Sequence, residues 1–149
     1  MTDPNTTHIP YIIPKLHGLY AALAPLSVLC MRVIAGVAFM VHGWPKINAP
    51  MGAVGMVEGL GFHPGWFWAP LLAATEFLGG LLLTLGLLTR PAAVATSIVL
   101  CVTTYFHWVV QAEGFPGAEK SLLWLAITLY FVAHGGGRLS VDRAMGKQF

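Results

Sequence analysis

Charge is what this sequence has least of. Of its 149 residues, 9% are charged and 56% are hydrophobic, and the mean hydropathy is +0.72. An ordinary soluble domain carries roughly a quarter charged residues, so the chain lacks the polar surface that water requires. It reads as one domain of an integral membrane protein. The net charge of +2 comes without any basic run, which excludes a polybasic lipid-binding patch and a nucleic-acid footprint. The two cysteines, Cys30 and Cys101, lie in apolar runs and form no CxxC pair. They read as small apolar fillers and say nothing about redox compartment. No flavin, nicotinamide or iron–sulfur motif is recognisable, so electrons for any redox reaction would come from a partner. The first residues carry Asp3, no basic n-region and no short apolar core before a small-residue cleavage site, which argues against a cleaved leader.

What is present is apolar helix. Residues 1–18 read as a tail in which Pro4, Pro10 and Pro14 break any helix. Four spans are expected at about 19–41, 67–88, 92–110 and 117–134, each near the roughly 20 residues needed to cross a hydrocarbon core. Pro25 falls in the first part of the first span, where it costs least, and Pro45 is expected to end that span. The fourth is the least apolar, since Glu119 and Lys120 open it. Residues 135–149 form a second tail, with Gly135 to Gly137 at its start. Met51, Val54, Met56, Val57 and Leu60 are expected to line a short interfacial helix in the first outer loop. Trp44, Trp66 and Trp68 bracket that loop as an aromatic belt would. The fold class is therefore an all-α, four-helix membrane bundle. With Lys15, Arg90, Arg138, Arg143 and Lys147 on the side of the termini against Lys46 and Lys120 opposite, the positive-inside rule makes the termini cytoplasmic in a bacterial-type plasma (inner) membrane.

Polar residues inside apolar spans are the candidate site. Arg32 and Glu76 fall near the middles of the first two spans, which run in opposite directions, so the two are expected to be level and in contact. Gly36, Thr75, Gly79, Gly80 and Thr84 would allow the helices to approach closely. His42 and Lys46, His107 and Glu119 cluster nearer the outer surface, and Thr96, Thr103 and Thr104 lie within about 60° of His107 on one helix face. Together these residues predict one outward-facing polar pocket. Each has a plainer reading. Arg32 with Glu76 would also serve as a register-fixing ion pair. His42 and Lys46 would serve as interfacial anchors, His107 as a hydrogen-bonded core histidine, and Glu119 with Lys120 as a solvated helix start. A haem between His42 and His107, or a metal on His42, His107 and Glu119, is disfavoured because two histidines at similar depth are weak evidence.

Arg32, Gly36 and Phe39, then His42-Gly43-x-x-Lys46, then Glu76-x-x-Gly79-Gly80-Leu81-Leu82-Leu83 through Gly86-Leu87-Leu88-Thr89-Arg90, resemble the DoxX family of small four-helix membrane proteins. His107, Glu119 and Gly137-Arg138-Leu139-Ser140-x-Asp142 also sit where that family places similar residues. The likeness covers about residues 29–142. One departure is Gly136, where the family's Gly-Pro-Gly tail would have proline. The resemblance implies an oxidoreductase-associated role, since relatives include a subunit of a thiosulfate:quinone oxidoreductase, proteins linked to quinone detoxification and a partner of oxidative-stress enzymes. Carried over by position, Arg32, Glu76 and His107 are the expected catalytic residues, and His42, Lys46 and Glu119 the expected binding residues. Ser140 and Asp142 are expected to cap the tail.

Three functional classes follow. The first is a membrane redox component, alone or as a homo-oligomer, that binds a quinone in the pocket and works with an oxidoreductase partner. Arg32 and Lys46 would then polarise the quinone oxygens and His107 or Glu119 relay protons. The second is a scaffold that recruits a soluble enzyme through its tail or outer loop. The third is a small-solute carrier, which four helices without an inverted repeat make less attractive.

Overall fold

The computed structural model describes residues 11–147. The expectations for Pro4, Pro10 and the absent leader fall outside the described residues. Among the described residues all regular structure is helical. A 3-10 turn at Pro14–Leu16 leads into α1 (His17–Asn48), whose 32 residues extend about 48 Å at 1.5 Å per residue. Both Pro25 and Pro45 lie inside it. Pro45 does not end the helix, because a proline removes the bond to the residue four before it and leaves the turn after it free to form. That turn is closed by the Ala49 N–H donating to Pro45 O at 3.2 Å, and by Asn48 Nδ2 donating to Trp44 O at 2.8 Å.

A second 3-10 turn, Pro50–Ala53, and the short α2 (Val54–Gly59) follow. They fold back on α3 (Gly65–Leu85), and Val57 is buried there. Gly86, at φ +70°, ends α3: its N–H donates to Leu83 O and the Leu87 N–H donates to Leu82 O, a Schellman closure. The chain therefore turns within three residues into α4 (Thr89–Tyr105), which continues as a wider π turn over Phe106–Val110. Next come α5 (Gly114–His134) and α6 (Val141–Ala144).

Small residues decide how these helices pack. A Cβ on Gly36 would stand 2.5 Å from Gly80 O, one on Gly80 would stand 2.6 Å from Gly36 O, and one on Gly43 would stand 2.6 Å from the Phe77 nitrogen. Backbone thus lies on backbone along the α1–α3 seam. α4 and α5 run antiparallel and are tied at two levels, Ser97 Oγ donating to Thr128 Oγ1 at 2.8 Å and Thr104 Oγ1 donating to Ser121 Oγ at 2.9 Å. Near the tail end, Arg90 Nη2 donates to Ala133 O at 3.3 Å. A core of Phe39, Leu83, Ala92, Ala93, Leu100 and Phe131 fills the centre. The outside is apolar as well, with Ile34, Leu78, Ile98 and Leu123 exposed. Segments 14–48, 65–85 and 89–110 are each long and apolar enough to cross a membrane. Cys30 and Cys101 lie on exposed faces and fill no interior space, contrary to the reading from their apolar neighbours.

Candidate functional site

The register of α1 against α3 places Arg32, Lys46 and Glu76. Gly36 packs on Gly80 and Thr84, and Gly43 packs on Glu76 and Phe77. Glu76 is therefore level with Gly43, and the next cation along α1 is Lys46. Its Nζ stands 2.6 Å from Glu76 Oε2 and 3.3 Å from His42 O. The expected Arg32–Glu76 contact does not form. Arg32 lies 11 residues before Gly43, about 16 Å along the helix. Arg32 does stand at the middle of α1, but α1 has 32 residues against the 21 of α3, so equal midpoints do not give equal depth, and ending α1 at residue 41 also hides the turn that carries Lys46.

The Lys46–Glu76 pair is mostly withdrawn from solvent, with side chains 27% and 10% exposed. Together with His42 it lines a cleft of about 920 Å³ bounded by α1, α2, α3, α4 and α5. Phe39, Phe62, Trp68, Phe106 and Trp124 give it aromatic walls, and Leu71, Leu72, Ile98 and Val102 give it aliphatic ones. The His42 ring meets Trp124 edge-on at 5.4 Å between centroids. His107 lines the cleft from the π turn, and its Nδ1 pairs with Glu113 Oε2 at 2.8 Å where the cleft opens to the loop between α4 and α5.

Of the six expected site residues, the cleft brings together His42, Lys46, Glu76 and His107. Arg32 lies elsewhere, and Glu119 is exposed and outside the lining. Its place is taken by Glu113 and Lys120, which reading the sequence missed. A signal was available: Gly117, Lys120, Ser121 and Trp124 follow the i, i+3, i+4, i+7 spacing of one helix face, and Glu119 is off that face. The threonine stripe of α4 divides in the same way. Thr103 lines the cleft, Thr104 bonds α5, and Thr96 donates to Ala92 O at 2.9 Å inside the bundle. Among the described residues no group of three His, Cys, Asp or Glu is placed to hold a metal ion.

Arg32 serves the opposite end of the bundle. It is 2% exposed, and it donates from Nη1 to Gly136 O at 2.9 Å and from Nη2 to Leu139 O at 2.6 Å. Asp142, also buried, accepts from the Leu88 N–H at 2.8 Å, the Thr89 N–H at 2.9 Å and Thr89 Oγ1 at 2.7 Å. Those are donors left free at the start of α4. Ser140 Oγ accepts from the Arg143 N–H and caps α6. The tail is thus clamped between the middle of α1 and the α3–α4 turn. The close fit accounts for Gly136, since a Cβ there would meet Thr89 Oγ1 at 2.6 Å and Ser140 Cβ at 2.8 Å.

Fold and site define a small helical integral membrane protein with an amphipathic cleft at one end and a clamped tail at the other. The DoxX family profile matches residues 27–108, and the chain belongs to that family. The match takes in Arg32, His42, Lys46, Glu76 and His107. Inner membrane protein YqjF of Escherichia coli K12 is 32% identical over 85% of this chain and 98% of its own. An uncharacterised membrane protein of Mycobacterium tuberculosis is 33% identical over 91% of both chains. A proposed oxidoreductase of Bacillus subtilis, CatD, is 29% identical over 78% of this chain and 85% of its own. No solved structure matches.

Proposed function

We propose that this protein is the membrane component of a redox system and binds a quinone, or a similar small aromatic carbonyl compound, in its cleft. One observation carries the reading: a nearly buried Lys46–Glu76 pair stands in the wall of a cleft of about 920 Å³ that is otherwise aromatic and aliphatic. Ligand sites of roughly 300–1,000 Å³ with few polar groups among apolar walls are the usual small-molecule design. Lys46 has three N–H donors, of which Glu76 and His42 O engage two, leaving the third for a ring carbonyl oxygen. Glu76 holds the ammonium in place. As that carbonyl gains electrons its oxygen becomes negative, and a fixed cation in a site of low polarity stabilises it.

Reduction of a quinone to its quinol takes up two electrons and two protons. The electrons come from an oxidoreductase partner, and the protons enter at the His107–Glu113 mouth. The name given to CatD supports the oxidoreductase association. Arg32, held by the tail, has no part in this chemistry.

The four-helix topology belongs to the same proposal. α5 runs beside α4 from Ser121 against Thr104 to Ala133 against Arg90, so α5 crosses wherever α4 does. The excess of basic residues beside the tail supports cytoplasmic termini.

Trp68 and Trp124 line the cleft, so their fluorescence reports occupancy. Titration of the purified protein in nanodiscs with a ubiquinone analogue is expected to quench it saturably, and Lys46→Met to weaken binding about tenfold. Unchanged affinity in a correctly inserted Lys46→Met protein would remove the reading.

A further inference from the structure

The cleft lining reaches the outer face of the bundle, and where it does so bears on the kind of ligand that enters. Two residues of its lining, Leu71 of α3 and Ile98 of α4, are 44% and 61% exposed. At 100° per residue each lies about 20° from an exposed residue seven positions on, Leu78 and Tyr105 respectively. On the other side each lies about 40° from a cleft-lining residue four positions on, Thr75 and Val102 respectively. Leu71 and Ile98 therefore mark the rim where the cleft wall turns into the outer face of the bundle.

α3 and α4 approach closely where Gly79 meets Thr96, with 3.0 Å between a Cβ on Gly79 and Thr96 Cγ2. From that contact towards the start of α3, the cleft lies between the two helices. Both helices belong to segments long and apolar enough to cross a membrane. Leu71 is about 9 Å from Gly65 and Ile98 about 18 Å from Val110, the helix ends nearest the polar mouth. In a bilayer crossed by these helices both residues would face acyl chains, whereas His107, Glu113 and Lys120 lie at the mouth beside the α4–α5 loop.

We propose that the cleft is entered from the bilayer through the slot between Leu71 and Ile98, and that its ligand is an amphiphile with a long apolar chain. The polar ring rests at Lys46 and Glu76 and the chain leaves between α3 and α4. This rests on the quinone reading and narrows it to chain-bearing quinones over water-soluble ones. The sequence of environments along the cleft carries the argument: charged and hydrogen-bonding groups within, aliphatic side chains at the rim, lipid beyond. A bilayer lipid shares the chain but offers no ring carbonyl to Lys46, so the two are separable by competition.

The test uses the full chain in phosphatidylcholine nanodiscs and two photoreactive benzoquinones, one with a diazirine at the end of a ten-carbon chain and one chainless with the diazirine on the ring. The chain probe is expected to label α3 and α4 around Leu71 and Ile98. Excess unlabelled decyl-quinone should suppress that labelling. The double substitution Leu71→Phe, Ile98→Phe narrows the slot and should cut chain-probe labelling at least tenfold and ring-probe labelling severalfold less, since the ring probe has no chain to pass between α3 and α4. An unchanged melting temperature in the same nanodiscs reports that the variant is folded. Chain labelling that survives excess quinone or the double substitution, or that falls only at the Glu113–Lys120 mouth, overturns the slot. If the ring probe then still labels near Lys46, the quinone reading stands without it. If neither probe labels the cleft, both fall.

Discussion

Asp142 accepts three hydrogen bonds in a buried position, and all three donors belong to the first residues of α4 or the turn before it. Replacing it by alanine leaves those donors without a partner, and an unsatisfied buried group costs about 1–3 kcal/mol. It also leaves the buried Arg32 without the nearest carboxylate on the tail. Asp142→Ala is therefore expected to destabilise the protein by about 3 kcal/mol, read as a lower melting temperature in detergent and faster trypsin cleavage at Arg138. Asp142→Asn keeps one acceptor oxygen and should lose less. Equal stability of Asp142→Ala and the parent protein would show that the tail is not clamped. The residue scale is also where the sequence is most ambiguous. Arg32, Glu76, Lys46 and Asp142 are each conspicuous as polar groups beside or within apolar runs, but conspicuousness does not give partners. Two cations and two carboxylates allow more than one pairing, and the one observed sends Arg32 to the tail and Lys46 to Glu76.

The choice between pairings is made at the level of the element, by the α1–α3 register. Gly36, Gly43 and Gly80 fix it, because at these glycines the backbones come close enough to exclude a side chain. Gly36→Ala would press a methyl group onto Gly80 O and the Thr84 nitrogen, neither of which can swing aside. Overpacking of this kind costs about 1–3 kcal/mol. At Gly18, also in α1, a methyl group would meet nothing within 4 Å, so Gly18→Ala should be neutral or stabilising by up to about 1 kcal/mol. Thermal unfolding of both variants in the same detergent separates a packing requirement from helix propensity, since propensity alone predicts the same sign at both positions. The glycines and the four apolar stretches were legible in the sequence. The register was not, because helix midpoints do not give it: α1 with 32 residues outruns the 21 of α3, and Gly43, not Arg32, comes level with Glu76. The cleft was legible in part: His42, Lys46, Glu76 and His107 were visible, while Glu113 entered only through the π turn and loop that bring it back to His107.

On the scale of the whole molecule the polar groups separate to two ends, a cleft mouth with His107, Glu113 and Lys120 and a clamped tail with Arg138 and Arg143. Whether those ends lie on opposite sides of the membrane turns on α5, whose opening turns carry Glu119 and Lys120. Its 21 residues reach about 31 Å, enough for a hydrocarbon core of about 30 Å. The proposed four-helix topology has it cross beside α4. The consequence is a sidedness that cysteine labelling reads directly. In a background with Cys30 and Cys101 replaced by serine, Glu113→Cys is expected to react with a membrane-impermeant maleimide in intact cells, and Arg143→Cys only after permeabilisation. Both positions are exposed, so a failure to react reports the membrane and not burial. Labelling of both from outside would mean that α5 lies along the surface and that the cleft is closed on one flank by lipid. The reverse pattern, Arg143→Cys outside and Glu113→Cys inside, would keep the four-helix bundle and invert it, placing the mouth that supplies protons on the cytoplasmic side.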